Sequence, residues 1–137
     1  MEPARMEISE RVPLSNRAPA VARGVIGRLG DLAPDEVQDM ARLVVSELVT
    51  NIYRHAGLPP GDPIEVRIVL LQDTLRVEVA QRGSSFEAKV RKPPSDSLYG
   101  RGLLILDRVA HRWGTVPNGG LRVWAELALP ASWRGVA

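Results

Sequence analysis

The chain has 137 residues, with 18 lysines and arginines against 16 aspartates and glutamates, and no cysteine. That length suits one domain with a modest core; no run of about 18 apolar residues is present to span a membrane, and the missing thiols exclude disulfides and thiolate chemistry. The positive charge is almost all arginine, with Lys89 and Lys92 the only lysines, and it is spread along the chain rather than gathered into the basic stripe that nucleic-acid binding needs.

Met1 to Pro13 mixes acids, arginine and proline without the apolar block of a secretory signal, which predicts a cytoplasmic protein. Met6 to Val12 alternates as a first strand. Ser15 or Asn16 can cap a helix with Pro19 in its first turn, Val21, Val25 and Leu29 on one face, and Gly30 at its close. Pro34, Asp35 and Glu36 open a second, longer helix, where proline suits the first turn and the acids meet the positive end of the helix dipole. Val37, Ala41, Val44, Val45, Leu48 and Ile52 follow helical spacing, and Gly57 with Pro59-Pro60 stops the helix.

Ile64 to Leu71 and Thr74 to Ala80 alternate as two strands, and the Gln72-Asp73 link makes them a hairpin. Arg82 to Tyr99 is irregular, and a loop of that length in a small domain reads as a lid or binding loop. Gly102 to Arg112 has helical spacing, with Leu103, Leu106 and Ala110 on one face. Trp113 to Val116, the turn Asn118-Gly119-Gly120, and Leu121 to Leu129 complete a last hairpin. Strands joined by tight turns, with the helices grouped between them, predict an α+β two-layer sandwich: a mixed, mostly antiparallel sheet with helices on one face. The whole of 1–137 is expected to be a single domain, its core about residues 6–130.

Three constellations point to chemistry. Glu47, Asn51 and His55 are four apart on the long helix, so a carboxylate, an amide and an imidazole follow one another along one side, roughly a turn apart. Gly100 and Gly102 stand where a loop meets a helix, a place where glycine lets a phosphate approach the backbone and the first-turn N–H groups point at it. Val77 to Gly83 is a strand that runs out into a glycine turn. Taken singly, each fits an ordinary solvated helix face, a loop glycine or a strand end. His55 and His111 are the only histidines, too few for an ordinary zinc site unless carboxylates complete it.

In this order, with a lid between the last two, these segments resemble the ATP-binding domain shared by histidine kinases, gyrase-type ATPases and the Hsp90 chaperone. Within that superfamily the chain is most similar to the bacterial anti-sigma factor serine kinases. Ser46 to Ala56 resembles their N box, Gly100 to Asp107 their G2 box, and Arg112-Trp113-Gly114 with Gly119-Gly120 and Val123-Trp124 their C-terminal hairpin. The resemblance implies that Asn51 binds the Mg²⁺ that bridges the ATP phosphates, a role an amide oxygen suits as a hard ligand. It implies that Glu47 is the general base for a serine hydroxyl on a partner protein. It also implies that Gly100, Arg101, Gly102 and Leu103 cradle the phosphates, that Gln81 and Gly83 lie on the adenine side, and that the chain can form a homodimer. The implied partners are a sigma factor and a phosphorylatable antagonist protein.

On the adenine side the sequence departs from the family pattern. Gln81 stands where the family has an aspartate, and Leu121 or Arg122 stands where it tends to have a threonine. A glutamine oxygen can accept a hydrogen bond, but it is uncharged. Loss of a buried charge-assisted acceptor costs on the order of 1–3 kcal/mol, about tenfold to a hundredfold in affinity. Two readings follow: an ATP-dependent serine protein kinase with altered nucleotide contacts, or a non-catalytic protein-binding module on the same fold.

Overall fold

The structure is a computed structural model and describes residues 3–55, 63–82, 105–116 and 120–133. Its elements are β1 (Met6–Pro13), α1 (Ala18–Ile26), a 3₁₀ segment (Gly27–Leu32), α2 (Asp35–His55), β2 (Pro63–Leu70), β3 (Thr74–Arg82), β4 (Arg112–Val116), β5 (Gly120–Ala128) and a 3₁₀ turn (Ala131–Trp133). A short helical segment at 105–109 precedes β4. The five strands form one sheet in the order β1-β2-β3-β5-β4. Every described pairing is antiparallel, so the expected mixture of directions reduces to its antiparallel part.

Alternation along each strand sends one set of side chains into the core. Ile8 and Val12 of β1, Ile64, Val66, Ile68 and Leu70 of β2, Leu75, Val77 and Val79 of β3, and Val123, Ala125 and Leu127 of β5 are all buried. They join the apolar stripe of α2 (Val37, Ala41, Val44, Val45, Leu48, Val49, Ile52) in one continuous core. Helices on one face of an antiparallel sheet make the predicted α+β sandwich.

The helical connections refine the sequence reading. α1 buries Ala18, Ala22, Val25 and Ile26, while Val21 is 49% exposed. The stripe is centred on the small alanines, and Val21 falls to its side. The expected cap at Ser15 or Asn16 is not made: Arg17 is the N-cap residue and no side chain caps the helix, while the Ser15 Oγ accepts a hydrogen bond from the Arg17 N–H at 3.1 Å in the turn ahead of it. Leu29 is buried in the 3₁₀ segment rather than on α1, and Gly30 (φ 55°) supplies the left-handed turn that redirects the chain into α2. Gln38, which the sequence did not single out, holds this corner. It is 4% exposed, and its Nε2 donates to the carbonyls of Gly30 (2.6 Å) and Ala33 (2.9 Å). The helix predicted to reach Arg112 ends earlier. Ala110 still bonds back to Leu106, but the His111 N–H donates to the Glu126 carbonyl, and Arg112 opens β4.

The outer face of the sheet carries an ion-pair network. Glu78 and Glu126 are 3% and 5% exposed. Glu78 accepts from Arg76 Nε (2.6 Å) and Arg122 Nη1 (2.6 Å), and Arg67 lies 3.5 Å away. Glu126 accepts from Arg112 (2.6 and 2.9 Å) and Arg76 Nη1 (3.0 Å). Arg67 also pairs with Glu7 on the edge strand. The Arg76 guanidinium sits 4.4 Å from the centre of the Trp124 ring. Trp124 in turn leans over its register partner Gly114, where an added Cβ would come within 2.9 Å of the indole. Burial would push both carboxyls up, but the arginine hydrogen bonds outweigh it and hold them below the ordinary glutamate value.

Two outcomes are expected. A carboxyl whose pKa is lower in the folded state stabilises fully above its unfolded value near 4.3 and loses that contribution as pH falls through the folded value. Urea unfolding between pH 7 and pH 3 should therefore show stability falling on the acid side, and Glu78→Gln should lower stability at pH 7 by about 1–3 kcal/mol while flattening that decline. Gly114→Ala should displace the Trp124 ring and cost about 1–3 kcal/mol, read as a lower Tm together with altered tryptophan fluorescence.

Candidate functional site

The chain path fixes which ends meet. β1 leaves the sheet at the Pro13–Pro63 end. α1 departs from that end, the 3₁₀ corner turns the chain, and α2 returns beside α1 to lead into β2, which starts there at Pro63. α2, which carries Glu47 and Asn51 in its last turns, packs against α1, β3 and β5.

Glu47 and Asn51 are both half-buried on α2, flanked by buried Leu48, Val49 and Ile52. At i and i+4 their Cβ atoms are about 6 Å apart. The pair sits on the shoulder of the stripe, where side chains rooted beside the core still reach solvent. Ser46, also half-buried, is turned to its own helix, its Oγ donating to the Leu43 carbonyl at 3.2 Å. His55 is the last residue of α2.

Gln81 is the penultimate residue of β3, so it stands inside the ladder, whereas the sequence reading ends the strand at Ala80. It follows Leu75, Val77 and Val79 on the core side and is 3% exposed. Its Oε1 is buried with no hydrogen-bond partner among the described residues. Its register partner on β5 is Leu121. Arg122 is bound to Glu78 on the outer face. Of the two candidate positions opposite Gln81, Leu121 is therefore the one that lies beside it.

The remaining predicted residues, Gly83, Gly100, Arg101, Gly102 and Leu103, lie outside the described residues, as does the predicted lid. Just beyond them, Leu106 is buried in the core, and Asp107 accepts a hydrogen bond from the Trp113 indole N–H at 2.7 Å, which ties the 105–109 segment to β4. The described residues contain no cluster of three or more histidine, aspartate or glutamate side chains able to hold a metal ion. No described helix is long and apolar enough to cross a membrane.

A five-stranded antiparallel sheet backed by helices on one face, with an acid and an amide one turn apart at the rim of the long helix, has a match in sequence. Residues 13–126 fit the histidine kinase-like ATPase domain, and the chain belongs to that family. Within it, the chain is similar to serine-protein kinases RsbW. It is 33% identical to that of Bacillus cereus (strain Q1) over 85 residues, which cover 59% of this chain and 52% of the relative. It is 32% identical to that of Bacillus mycoides (strain KBAB4) over 90 residues (63% and 55%). It is 31% identical to that of Staphylococcus aureus (strain MRSA252) over 91 residues (62% and 56%). The chain spans about half the length of these curated relatives. The superfamily resemblance drawn from the N box, the G2 box and the last hairpin is supported by both comparisons.

An orphaned buried acceptor carries a desolvation cost that an apolar group of the same shape does not. Gln81→Met should therefore raise the stability of the ligand-free protein by about 1 kcal/mol in urea unfolding.

Proposed function

We propose that the chain is a regulator of the RsbW kind, a single ATPase-fold domain that binds Mg-ATP and phosphorylates a serine on an antagonist protein, holds a sigma factor, or does both. The observation that carries this reading is the Glu47–Asn51 pair at the rim of the α2 stripe, in a chain of this family.

The donor chemistry fits. Asn51 offers a neutral hard oxygen, half-buried and rooted beside the core, suited to be the one protein ligand of a Mg²⁺ otherwise held by phosphate oxygens and water. Glu47, a turn earlier, is placed to take the proton from a serine hydroxyl brought to the same rim. The packing of Leu48 and Ile52 holds both residues in a fixed relation, which is what phosphoryl transfer requires, because its catalysis is mostly positioning and charge stabilisation. Gly100, Arg101, Gly102 and Leu103 are proposed to receive the phosphates, and Gln81 and Gly83 to lie on the base side. Mg-ATP, when bound, supplies the phosphoryl group and neutralises its charge.

One observation favours a second reading, a non-catalytic protein-binding module. The buried acceptor on β3 is an uncharged amide, and its register partner is an aliphatic residue. Both polar groups of the family's adenine side are thus replaced at adjacent positions.

Titration of Mg-ATP separates the two. On the kinase reading the nucleotide raises apparent stability by RT ln(1 + [L]/Kd), about 2.7 kcal/mol at a hundredfold excess over Kd, and Glu47→Ala lowers phosphotransfer by about 10²–10⁴-fold with Mg-ATP affinity nearly unchanged. No rise in Tm at millimolar Mg-ATP assigns the chain to the second reading.

A further inference from the structure

The register sets the outward side chains of the sheet in rows that run across the strands. One row is Glu7, Val69, Arg76, Glu126 and Arg112, and the next holds Arg67, Glu78 and Trp124. A third holds Glu65, Ala80 and Arg122. In the middle of these rows Arg76 neutralises Glu78 and Glu126. Towards the margins the charge is open to solvent. Glu7 on β1 and Arg112 on β4 have side chains 46% and 65% exposed, an acid at one end of a row and a base at the other. Glu65 on β2, half-buried and without an ion pair among the described residues, is matched across β3 by Arg122 on β5.

This pattern is complementary to itself. When two sheets pack outer face to outer face, a twofold axis along β3 exchanges the two ends of every row and keeps the row in place. β1 of one copy then faces β4 of the other, and β2 faces β5. Glu7 meets Arg112, Glu65 meets Arg122, and the Arg67 guanidinium meets the Trp124 indole, each contact occurring twice. β3 faces itself, but its charges are already paired within each copy: Arg76 with Glu78 and Glu126, and Glu78 also with Arg122. Closing the interface therefore leaves no lone charge at its centre. Stacked sheets lie about 10 Å apart with strand directions within about 30°, a gap that arginine, glutamate and tryptophan side chains fill. Five strands about 4.8 Å apart, paired over about 20 Å, give a footprint of about 500 Å² per copy, so that two copies reach the lower bound of a specific interface, about 1,000 Å². We propose that the outer face of the sheet is a homodimer interface with its twofold axis along β3. This holds whether or not the chain binds a nucleotide.

Within one chain Glu7 and Arg112 lie on opposite edge strands with three strands between them, so a direct contact between the two positions requires a second copy. Sedimentation equilibrium of the full chain should give a monomer–dimer equilibrium with a Kd of about 1–100 µM, weakened at least about threefold by a tenfold rise in salt. Glu7→Arg alone and Arg112→Glu alone should each weaken it by about tenfold or more, because each sets like charges face to face. An equimolar mixture of the two variants should recover the dimer, since each supplies the charge the other has lost. The chain has no cysteine, which gives a second measurement that needs no charge reversal. A mixture of Glu7→Cys and Arg112→Cys proteins should be joined into a dimer by a short bis-maleimide, and neither protein should be joined to itself. A monomer at about 1 mM chain overturns the inference. So does a dimer indifferent to both charge reversals, or a mixture of variants that neither associates better than its components nor cross-links.

Discussion

The structure depends on one packing constraint: the apolar stripe of α2 has to cover the core side of the sheet. Val44, Val45, Leu48, Val49 and Ile52 are nearly or wholly buried, as are the sheet residues Val66, Ile68, Val77 and Val79. Each such aliphatic side chain contributes on the order of 1.5–3 kcal/mol when taken out of water, so the rotation of the helix about its own axis has little freedom. That rotation decides where Glu47 and Asn51 lie. A polar pair rooted on the shoulder of a locked helix is held by the core without either residue having to give up its exposed tip.

The same locking explains what could be read in the sequence. Strand alternation in 64–71 and 74–80, and helical spacing from Val37 to Ile52, are direct images of burial, and they predicted the sheet, the long helix and the Glu47–Asn51 alignment. The miss at Val21 arose because apolar spacing alone does not say that a stripe can be centred on alanines. The early end of the last helix arose from a tertiary effect: the His111 N–H is taken by the Glu126 carbonyl, a sheet bond that local spacing cannot anticipate. Gln38 was hidden for a related reason, since a glutamine within a patterned segment gives no sign of whether it faces solvent or a buried carbonyl.

The two faces of the sheet solve opposite problems. The inner face is sealed by helices and is almost wholly apolar, with Gln81 the departure among the described residues of β3. The outer face has no described helix over it, and it is covered by its own charged side chains laid across the strands. The partners on this face (Arg76, Glu78, Arg122, Glu126) follow from the register, which sets Arg76 opposite Glu126 and Glu78 opposite Trp124.

Arg76 reaches both buried glutamates and the Trp124 ring at once. Because one guanidinium serves three partners on two strands, the worth of any contact in this group depends on which others remain. Substitutions here will not combine independently: a change at Glu78 alters what a change at Glu126 does.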